Sequence, residues 1–600
     1  MVSRRNFFNI CVVMATILIL FQFSLLIQDF TNQYDVNIYL TETELTRASE
    51  WSEHLAGDST QTVLYIGSGD DAEARIIRQW CGYAKRRFEQ CDSLDDYARP
   101  DDGGPVLLCL TGKAVTTTRQ ADALSDMVQA GQNVLFCDVP GAVRLTRLQE
   151  LQTLLGIREV AQEQVELTGI KLFPGFFLGG EVIYSMEDEE EKTGRESSLS
   201  APWYLRLSGT KVYMVGMLED EEIENEDLPP LIWRNSHGSG RVFAVNGPYM
   251  RDETGLGILS AVLYELQDYE LYPVVNAQNL SVANFPDFAL ENTEAMTELY
   301  SRDMRRLQMD LMWPNLITAA NKGKYQMTCF LAPRLDYSTK DSRQADDLTF
   351  YLQQFRERSA EAGLSMDYLP DGSLEKKLTE DQAFFDSSSS TYSYSAAYVG
   401  SGEREAFLSA DPQGILQNIR TVTGVWDDAD LLFYCTDTTV AQGVTADGFT
   451  HPYLQDLRVR AIETALAYSN ILLDMKRVSW PEEDDPHWEI LSESFSSNIN
   501  TYWNPFADFE KTTLTESDEK VRAFLATDYR DARQEDAITL EITSSDSSQW
   551  FLLRTHAETV SSLTGGDYVE IEEDVYLIHA LEKTLQIGLK ARQNSQYYLP

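Results

Sequence analysis

The chain has 600 residues, of which 43% are hydrophobic and 11% aromatic, and its formal net charge is -46. A chain of this length is too long for one hydrophobic core, so we expect several folded domains. The acidic balance argues against nucleic acid as a partner, because phosphates require clustered Lys and Arg on the protein. It would attract a cationic partner, although acidity also serves solubility alone.

An uncharged apolar segment stands near the start of the sequence. "FFNICVVMATILILFQFSLLI", residues 7–27, is about as long as a helix must be to cross a bilayer. Arg4 and Arg5 precede it, so the positive-inside rule predicts a cytoplasmic N-terminus, an exported remainder and a single-pass location in the cell membrane. Residues 1–27 would form the cytoplasmic stub and transmembrane anchor, and residues 28–59 a stalk. A cleaved signal peptide is the alternative, but small residues typical of a cleavage site are missing after the run.

Residues 60–270 alternate short apolar runs with helical patterns. This alternation predicts a parallel sheet covered on both faces, in a flavodoxin-like or amidotransferase-like α/β domain. No G-x-C-x-G or G-x-S-x-G motif exposes a nucleophile, and the acids of "GSGDDAEARI" would repel a phosphate. A binding or spacer role is therefore favoured. The predicted strands cover residues 62–67, 105–110, 133–139, 211–218 and 241–246, and the predicted helices cover residues 72–89, 117–130 and 254–269.

A second alternation of strand and helix patterns occupies residues 271–535. Repeated βα units of this number predict a (β/α) barrel, with function at the carboxyl ends of its strands. Residues 536–600 have short strand patterns and turn signals, which predict a small antiparallel β module. The predicted helices of the barrel include residues 290–308, 345–363 and 456–477, and its strands include residues 324–333, 391–400 and 430–435.

Most of the seven cysteines lie in apolar strand-like runs, where a free Cys behaves as a small hydrophobe. Cys81 and Cys91 could pair as a disulfide. The fold is not expected to depend on disulfide bonds.

Several phrases of the barrel region resemble a known family. "YPVVNAQNLSVANFPDF", "KYQMTCFLAP", "AGLSMDYLP", "HPYLQD" and "DPHWEILSESFSSNINTYW" are similar to membrane-anchored, exported bacterial proteins. That family resembles the polysaccharide deacetylase (NodB-like) barrels of Pel-type exopolysaccharide systems, which act in biofilms. The resemblance covers about residues 271–592.

The resemblance implies a catalytic Asp and a metal held by a second Asp and two His residues, and the sequence departs from that pattern. "ANFPDF" has Asn284 where an acid would stand, and Asp287 is displaced. "AGLSMDYLP" supplies Ser365 and Asp367 but no histidine. Neutral His is a principal ligand of such centres, so we expect no tightly bound zinc and no other cofactor.

Four residues are weak catalytic candidates: Asp287, Asp367, Asp427 and His451. Asp427 belongs to "GVWDDADLLF", the most enzyme-like pair of carboxylates, yet it precedes a predicted strand and so lies at the wrong strand end for a barrel site. His451 lies in a loop near Asp456, where capping and loop hydrogen bonds are the competing role.

The stretch "NAQNLSVANFPDF" has two interpretations. Asn284 and Asp287 could face the mouth of the barrel with Asp367 within reach and bind sugar hydroxyls or the ammonium of an aminosugar. Alternatively, both residues cap the turn into the helix from Leu290. We also expect aromatic side chains around the mouth, for example Tyr368, Tyr394 or Trp426.

Two functions follow from these patterns. The first is a noncatalytic, membrane-tethered carbohydrate-handling protein of exopolysaccharide synthesis or export with a degenerate deacetylase-like barrel. The acidic exterior would suit a cationic aminosugar polymer, and synthase or export proteins would be partners. The second is an active polysaccharide deacetylase or glycoside hydrolase that uses a rearranged set of residues.

Overall fold

Three packed units follow one another in the computed structural model of the chain. They are an N-terminal domain (residues 62–266), a central domain (residues 277–526) and a C-terminal module formed by residues 529–591 with one earlier strand. The structure describes Met14 and residues 61–97, 104–187, 199–219, 223–339, 346–388, 392–400, 404–410, 413–426, 430–482, 485–543 and 548–592.

The N-terminal domain is built on a nine-stranded sheet of order β2-β1-β3-β4-β11-β10-β9-β6-β7. Strands β1 to β4 and β11 pair in parallel, whereas β11, β10, β9, β6 and β7 pair antiparallel. The prediction of an all-parallel sheet is therefore wrong for half of it. The strands are β1 Thr62–Ile66, β2 Arg87–Cys91, β3 Leu107–Thr111, β4 Val134–Asp138, β5 Ile157–Leu167, β6 Gly169–Leu172, β7 Val182–Ser185, β8 Leu199–Arg206, β9 Lys211–Met217, β10 Pro230–His237 and β11 Gly240–Val245.

Helices cover the faces of this sheet and bury apolar side chains against it. Helix α2 begins with a capping box, in which Thr117 and Gln120 bond each other's backbone N–H groups. Strands β5 and β8 form a separate antiparallel pair beside the sheet. The helices are α1 Ala72–Tyr83, α2 Thr118–Gln129, α3 Ala142–Arg147, α4 Gln149–Leu154 and α5 Thr254–Leu266.

The central domain contains a curved ten-stranded sheet. Its order is β18-β19-β17-β16-β15-β14-β13-β21-β20, and β22 also pairs with β13. The segment that carries β19 and β20 pairs first with β17 and then with β21, which bends the sheet round a buried apolar core. The strands of this sheet are β13 Ala277–Ala283, β14 Met327–Leu331, β15 Glu361–Ser365, β16 Ala396–Tyr398, β17 Thr421–Gly424, β18 Leu432–Tyr434, β19 Val440–Gly443, β20 Ala446–Asp447, β21 Tyr468–Asp474 and β22 Lys511–Thr512. The preceding strand, β12 Tyr269–Val274, belongs to the C-terminal module.

Ten helices in the described part of the central domain surround this sheet, and the short helix Lys476–Ser479 directly follows β21 at its carboxyl end. A π-helical turn, Gln308–Met312, separates α7 from α8. The helices are α6 Thr293–Tyr300, α7 Met304–Leu307, α8 Trp313–Gly323, α9 Asp346–Glu357, α10 Leu374–Ser387, α11 Arg404–Leu408, α12 Tyr453–Leu466, α13 Lys476–Ser479, α14 Trp488–Tyr502 and α15 Leu514–Ala526.

The predicted fold class is corrected in the central domain. Instead of a regular (β/α) barrel, the structure has a half-barrel sheet in a mixed α/β protein, because β18 turns back antiparallel on β19 and the strands vary from two to seven residues. The helix predicted over residues 456–477 is correct only as far as Leu466. Helix α12 ends at Leu466, Ala467 takes a left-handed conformation, and the following "YSNILLD" is strand β21.

The C-terminal module packs two antiparallel sheets of four strands each, with orders β12-β25-β28-β27 and β23-β24-β29-β26. Apolar residues from both sheets form one core. Strand β12 joins this module although it precedes the central sheet in the chain, so the module is tied to both neighbours. The remaining strands are β23 Tyr529–Gln534, β24 Ala537–Ile542, β25 Gln549–Thr555, β26 Glu558–Thr564, β27 Gly566–Glu572, β28 Val575–Ala580 and β29 Thr584–Ala591.

The predicted transmembrane helix and single-pass membrane location are contradicted. Among the described residues, no helix combines the length and the apolar composition needed to cross a bilayer. The longest helix there, α14, has 15 residues, whereas a span needs about 20. The segment 7–27 on which the prediction rested is described only at Met14, and the stalk 28–59 lies outside the described residues.

Cys81 and Cys91 do not pair. Both are free thiols, as are the other four cysteines in the described part of the chain. Cys11 lies outside it.

Candidate functional site

The amide of Asn284 joins three strands of the central sheet at their carboxyl ends. Asn284 directly follows β13, is fully buried and has a φ of 58°, a left-handed conformation that Asn tolerates better than most residues. Its Nδ2 donates to Oδ2 of Asp367 at 3.1 Å and to Oδ1 of Asp474 at 2.8 Å. Ser365 Oγ donates to Asn284 Oδ1 at 2.6 Å. Two carboxylates are thereby held on one amide nitrogen.

A lysine and burial give these two carboxyl groups different surroundings. Lys476 Nζ lies 3.1 and 3.3 Å from the two carboxylate oxygens of Asp367. Asp474 accepts a hydrogen bond from the backbone N–H of Lys476 at 2.9 Å. Burial, together with the nearby charge of Asp367, raises the pKa of Asp474 from 3.8 to about 6. One carboxyl group is therefore ion-paired, and the other binds its proton more tightly than usual.

Asp474 lines a cavity of about 540 Å³ between the central and N-terminal domains, here called the interdomain cleft. Trp426 and Tyr398 are also in its wall. Glu253 of the N-terminal domain and Arg458 of the central domain come within 3.7 Å of each other. The N-terminal domain contributes Arg75, Arg251, Asp252 and Glu253, and the central domain contributes Asp430, Asp447, Gln455, Arg458 and Arg477 among others.

The cleft lies where the carboxyl edges of two sheets face each other. In the N-terminal domain, Arg75 is in the first turn of α1, after β1, and Arg251 follows β11. In the central domain, Trp426 follows β17 and Asp474 ends β21. Open α/β sheets and barrels both bind ligands at this edge of their strands. The arrangement therefore has the polar groups, aromatic rings and shape of a ligand site.

The structure separates the predicted candidates Asp287 and Asp367. Asp367 lies in the Asn284 network, whereas Asp287 is a buried turn residue whose Oδ1 accepts from the N–H of Ala289 at 2.9 Å. Burial first, and the charge of Glu291 second, raise the pKa of Asp287 well above its ordinary value. Neither Asn284 nor Asp287 caps a helix from Leu290, because α6 begins only at Thr293.

His451 is packed one side chain behind the cleft wall. Its Nε2 is 3.1 Å from Asp456 Oδ1, and its Nδ1 is 2.9 Å from Nε2 of Gln455, which itself lines the cleft. The rings of Tyr502 and Trp503 cover it. Asp427 lies outside the described residues.

Of the three predicted aromatic residues, Trp426 lines the cleft. Tyr394 is buried in the core and Tyr368 packs against it.

The residues present do not fit the metal that a deacetylase-like fold implies. Both oxygens of Asp367 are engaged by Lys476, and both carboxylates share the Asn284 amide. Across the described ranges, no cluster of three or more His, Cys, Asp or Glu residues is arranged to hold a metal ion. The ammonium group of Lys476 thus binds the same carboxylate oxygens that a metal ion would need.

The sequence reasoning missed Asp474, Lys476 and Tyr398. Asp474 and Lys476 were hidden by the helix predicted over residues 456–477, since the acid then falls within a helix and not at a strand end. The signal was present in "YSNILLD", an apolar run of strand length that ends on an acid. Tyr398 ends the short strand β16.

Comparison with known proteins identifies the fold. No protein-family model and no curated protein matches the chain. The crystal structure of Agd3, described as a novel carbohydrate deacetylase, matches with a TM-score of 0.50 and 10% identity over 88% of this chain and 99% of that chain. The chain shares its fold with a carbohydrate deacetylase. At this identity, the match concerns the fold alone.

Two further structures match parts of the chain. An exo-β-1,4-mannosidase, Op5Man5 from Opitutaceae bacterium strain TAV5, has a TM-score of 0.23 and 15% identity over 34% of this chain and 36% of that chain. A ThuA-like protein from Bacteroides uniformis ATCC 8492 has a TM-score of 0.22 and 12% identity over 35% and 91%. The predicted link to Pel-type systems and to synthase or export partners stays a prediction.

Proposed function

We propose that the protein binds a polysaccharide chain in the interdomain cleft. The observation that carries this proposal is the meeting of two carboxyl edges round a polar cavity of about 540 Å³, in a fold shared with a carbohydrate deacetylase. Saccharides present hydroxyl groups at their rims and apolar faces on their rings. The arginines and carboxylates of the cleft suit the hydroxyls, and the ring of Trp426 suits a sugar face.

The chemistry of the Asn284 network favours binding over deacetylation. A metal-dependent deacetylase activates a water on its metal ion, and the ion pair between Lys476 and Asp367 occupies oxygens that such an ion would need. The deacetylase-like central domain would then serve as a carbohydrate-binding domain. A cationic aminosugar polymer, suggested by the total charge, is one class of ligand to test.

Binding is tested with neutral, acidic and cationic oligosaccharides by titration calorimetry. We expect Trp426→Ala to weaken the binding of the best ligand by about fivefold, because one sugar–ring contact is worth about 1 kcal/mol. Trp550→Ala is the matched control, since Trp550 lines a different cavity at the amino end of the central sheet. If neither Trp426→Ala nor Asp474→Asn changes the affinity of any saccharide, the cleft is not the binding site.

A second candidate function is hydrolysis of a glycosidic bond by Asp474 and Asp367. Glycoside hydrolases need one carboxyl group that is protonated and one that is ionised. Asp474 would give its proton to the leaving-group oxygen as the C–O bond breaks and an oxygen of Asp367 bonds to the sugar carbon. Asp474, now ionised, would then take a proton from the water that breaks the bond between the sugar and Asp367. The raised pKa of Asp474 and the ion pair of Asp367 favour these roles.

Hydrolysis is tested by the release of reducing ends from each polymer that the protein binds. If the candidate is right, Asp474→Asn abolishes the release, whereas the exposed Asp310→Asn does not. Release that is equal in wild type and Asp474→Asn would rule out this pair.

A further inference from the structure

A second cavity, here called the N-domain groove, lies along the carboxyl edge of the N-terminal sheet. It has a volume of about 840 Å³ and is formed by the loops that follow β3 and β4, with β5 and β8 at one side. This is the edge at which open α/β sheets bind ligands. The groove therefore lies where a binding site is expected. No sequence pattern predicted a site there, and the groove is separate from the interdomain cleft.

The charge in the groove differs from that of the whole chain. Three cations line it, Lys113, Arg144 and Arg147, against the two carboxyl groups of Asp138 and Glu163. In the chain, by contrast, 95 acidic residues face 49 basic ones. Arg251 Nη2, 3.4 Å from Asp138 Oδ2, offsets part of the negative charge of Asp138. Cations that gather in one groove of so acidic a protein point to an anionic ligand.

The cations differ in their availability. Arg144 Nη1 donates to the carbonyl of Gly112 at 2.6 Å and so helps to hold the loop. Lys113 and Arg147 are exposed. The guanidinium of Arg147 can bind a carboxylate through two parallel hydrogen bonds, and Lys113 can act as a point charge beside it.

The groove and the interdomain cleft are neighbours on the same edge. Asp138 lines the groove, Arg251 lines the cleft, and Arg251 Nη2 lies 3.4 Å from Asp138 Oδ2. Arg251 Nε also bonds Glu73 at 2.9 Å. A linear polymer that leaves the cleft past Arg251 would therefore enter the groove.

We propose that the N-domain groove extends the interdomain cleft and binds acidic sugar units of the same polysaccharide chain through Lys113 and Arg147. The proposal rests on the proposed function, because it needs a chain that also occupies the cleft. The ligand class is a linear polymer with carboxylate groups, such as a polyuronate. Charges more than a screening length of about 8 Å from the groove act weakly on it at physiological ionic strength, so the local lining determines the preference.

The test compares short and long polyuronate oligosaccharides, each with its methyl-esterified, uncharged form, in calorimetric titrations of the full chain. In Lys113→Ala/Arg147→Ala, we expect about tenfold weaker binding of the long acidic chains. Binding of short chains and of the esterified chains should be unchanged. The control is Arg87→Ala/Lys322→Ala, which removes the same charge from two exposed positions, the first residue of β2 and the last turn of α8. Added salt should reduce the difference between wild type and the groove variant.

The outcomes separate the two proposals. If wild type binds long acidic and esterified chains equally, or if the groove variant binds like the control, the groove proposal is overturned while binding in the cleft stands. If no polyuronate binds but neutral or cationic chains do, the ligand class proposed here is wrong. If no saccharide binds at all, the proposed function itself fails.

Discussion

Strand β13 carries an amide at each end, and each amide bonds a buried carboxyl group. At the amino end, Gln278 Nε2 donates to Glu463 Oε1 at 2.7 Å, and at the carboxyl end, Asn284 Nδ2 donates to Asp474 Oδ1 at 2.8 Å. Burial raises the pKa of both carboxyl groups. By hydrogen bonding and titration alone, the two ends of the sheet look alike.

The two ends differ in whether the buried carboxyl group itself lines a cavity. Glu463 is not part of the wall of the amino-end cavity that contains Trp550, whereas Asp474 lines the interdomain cleft. Helix α15 packs across the amino end, where Thr515 bonds Glu361 and Ser517 bonds Gln442. Asp518 receives the side chains of Arg420 and Arg522 there. At the carboxyl end, Asp474 lines the interdomain cleft. A shifted pKa therefore indicates burial, and it is evidence for a site only where the titrating group itself lines a cavity.

The largest effect is expected from a substitution at the amino end of the central sheet. Asp518→Ala leaves Arg420 and Arg522 buried without their carboxylate, and we expect a loss of about 3 to 5 kcal/mol in unfolding free energy. Denaturant unfolding measures it. Glu519→Ala, which removes a half-exposed neighbour, should cost less than about 1 kcal/mol. Saccharide binding by folded Asp518→Ala should equal wild type, and weakened binding would mean that the amino end also serves the site.

At the carboxyl end, we expect Asp474 to make the unfolding free energy depend on pH. The folded protein holds the proton of Asp474 more tightly than the unfolded chain does. The stabilisation that protonated Asp474 contributes is therefore fully present below about pH 4. It is lost as the pH rises through about 6. The loss should amount to about 3 kcal/mol. Asp474→Asn should remove it.

The matched variant is Glu463→Gln. It should also flatten the pH dependence of unfolding, because burial raises the pKa of Glu463, but it should leave the pH dependence of saccharide binding unchanged. Asp474→Asn should change both. If both variants change the pH dependence of saccharide binding equally, the carboxyl end has no special role in binding.

His451 also lies near the carboxyl end of the central sheet. A variant of this residue tests whether that position alone implies a role in binding. His451→Ala removes a buried hydrogen-bond partner of Asp456, which keeps Arg460 and Tyr184. We expect a loss of about 2 kcal/mol in thermal or denaturant unfolding and unchanged saccharide affinity. The exposed His556→Ala should cost less. A loss of affinity without a loss of stability would place His451 in the site.

The smallest expected effect concerns Asp287. Asp287→Ala removes the hydrogen bond to the N–H of Ala289 and should cost about 1 kcal/mol without changing saccharide binding. Asn284→Ala should weaken binding, because it releases Asp367 and Asp474 from their shared donor. The opposite pattern in the two variants would show that the turn at Asp287, and not the amide at Asn284, forms the site.

Local patterns in the sequence located many elements but not their partners. The apolar runs at residues 62–67, 105–110 and 133–139 coincide with β1, β3 and β4, because buried parallel strands are continuous apolar segments. The sequence also singled out Asn284 and Asp367. It did not find Asp474, since an apolar run that directly follows a helix has no distinct period.

The strong acidity, the alternation of strand and helix patterns, and the absence of an H-x-x-x-H pattern can all be read from the amino-acid sequence. These properties depend on residue type and spacing along the chain. Only the tertiary structure decided that β13 and β21 are neighbours, that β18 turns back on β19, and that Arg251 of one domain faces Asp474 of another across a cleft. Such contacts join residues far apart in the chain, and they are selected by the packing of whole sheets, which no local pattern encodes.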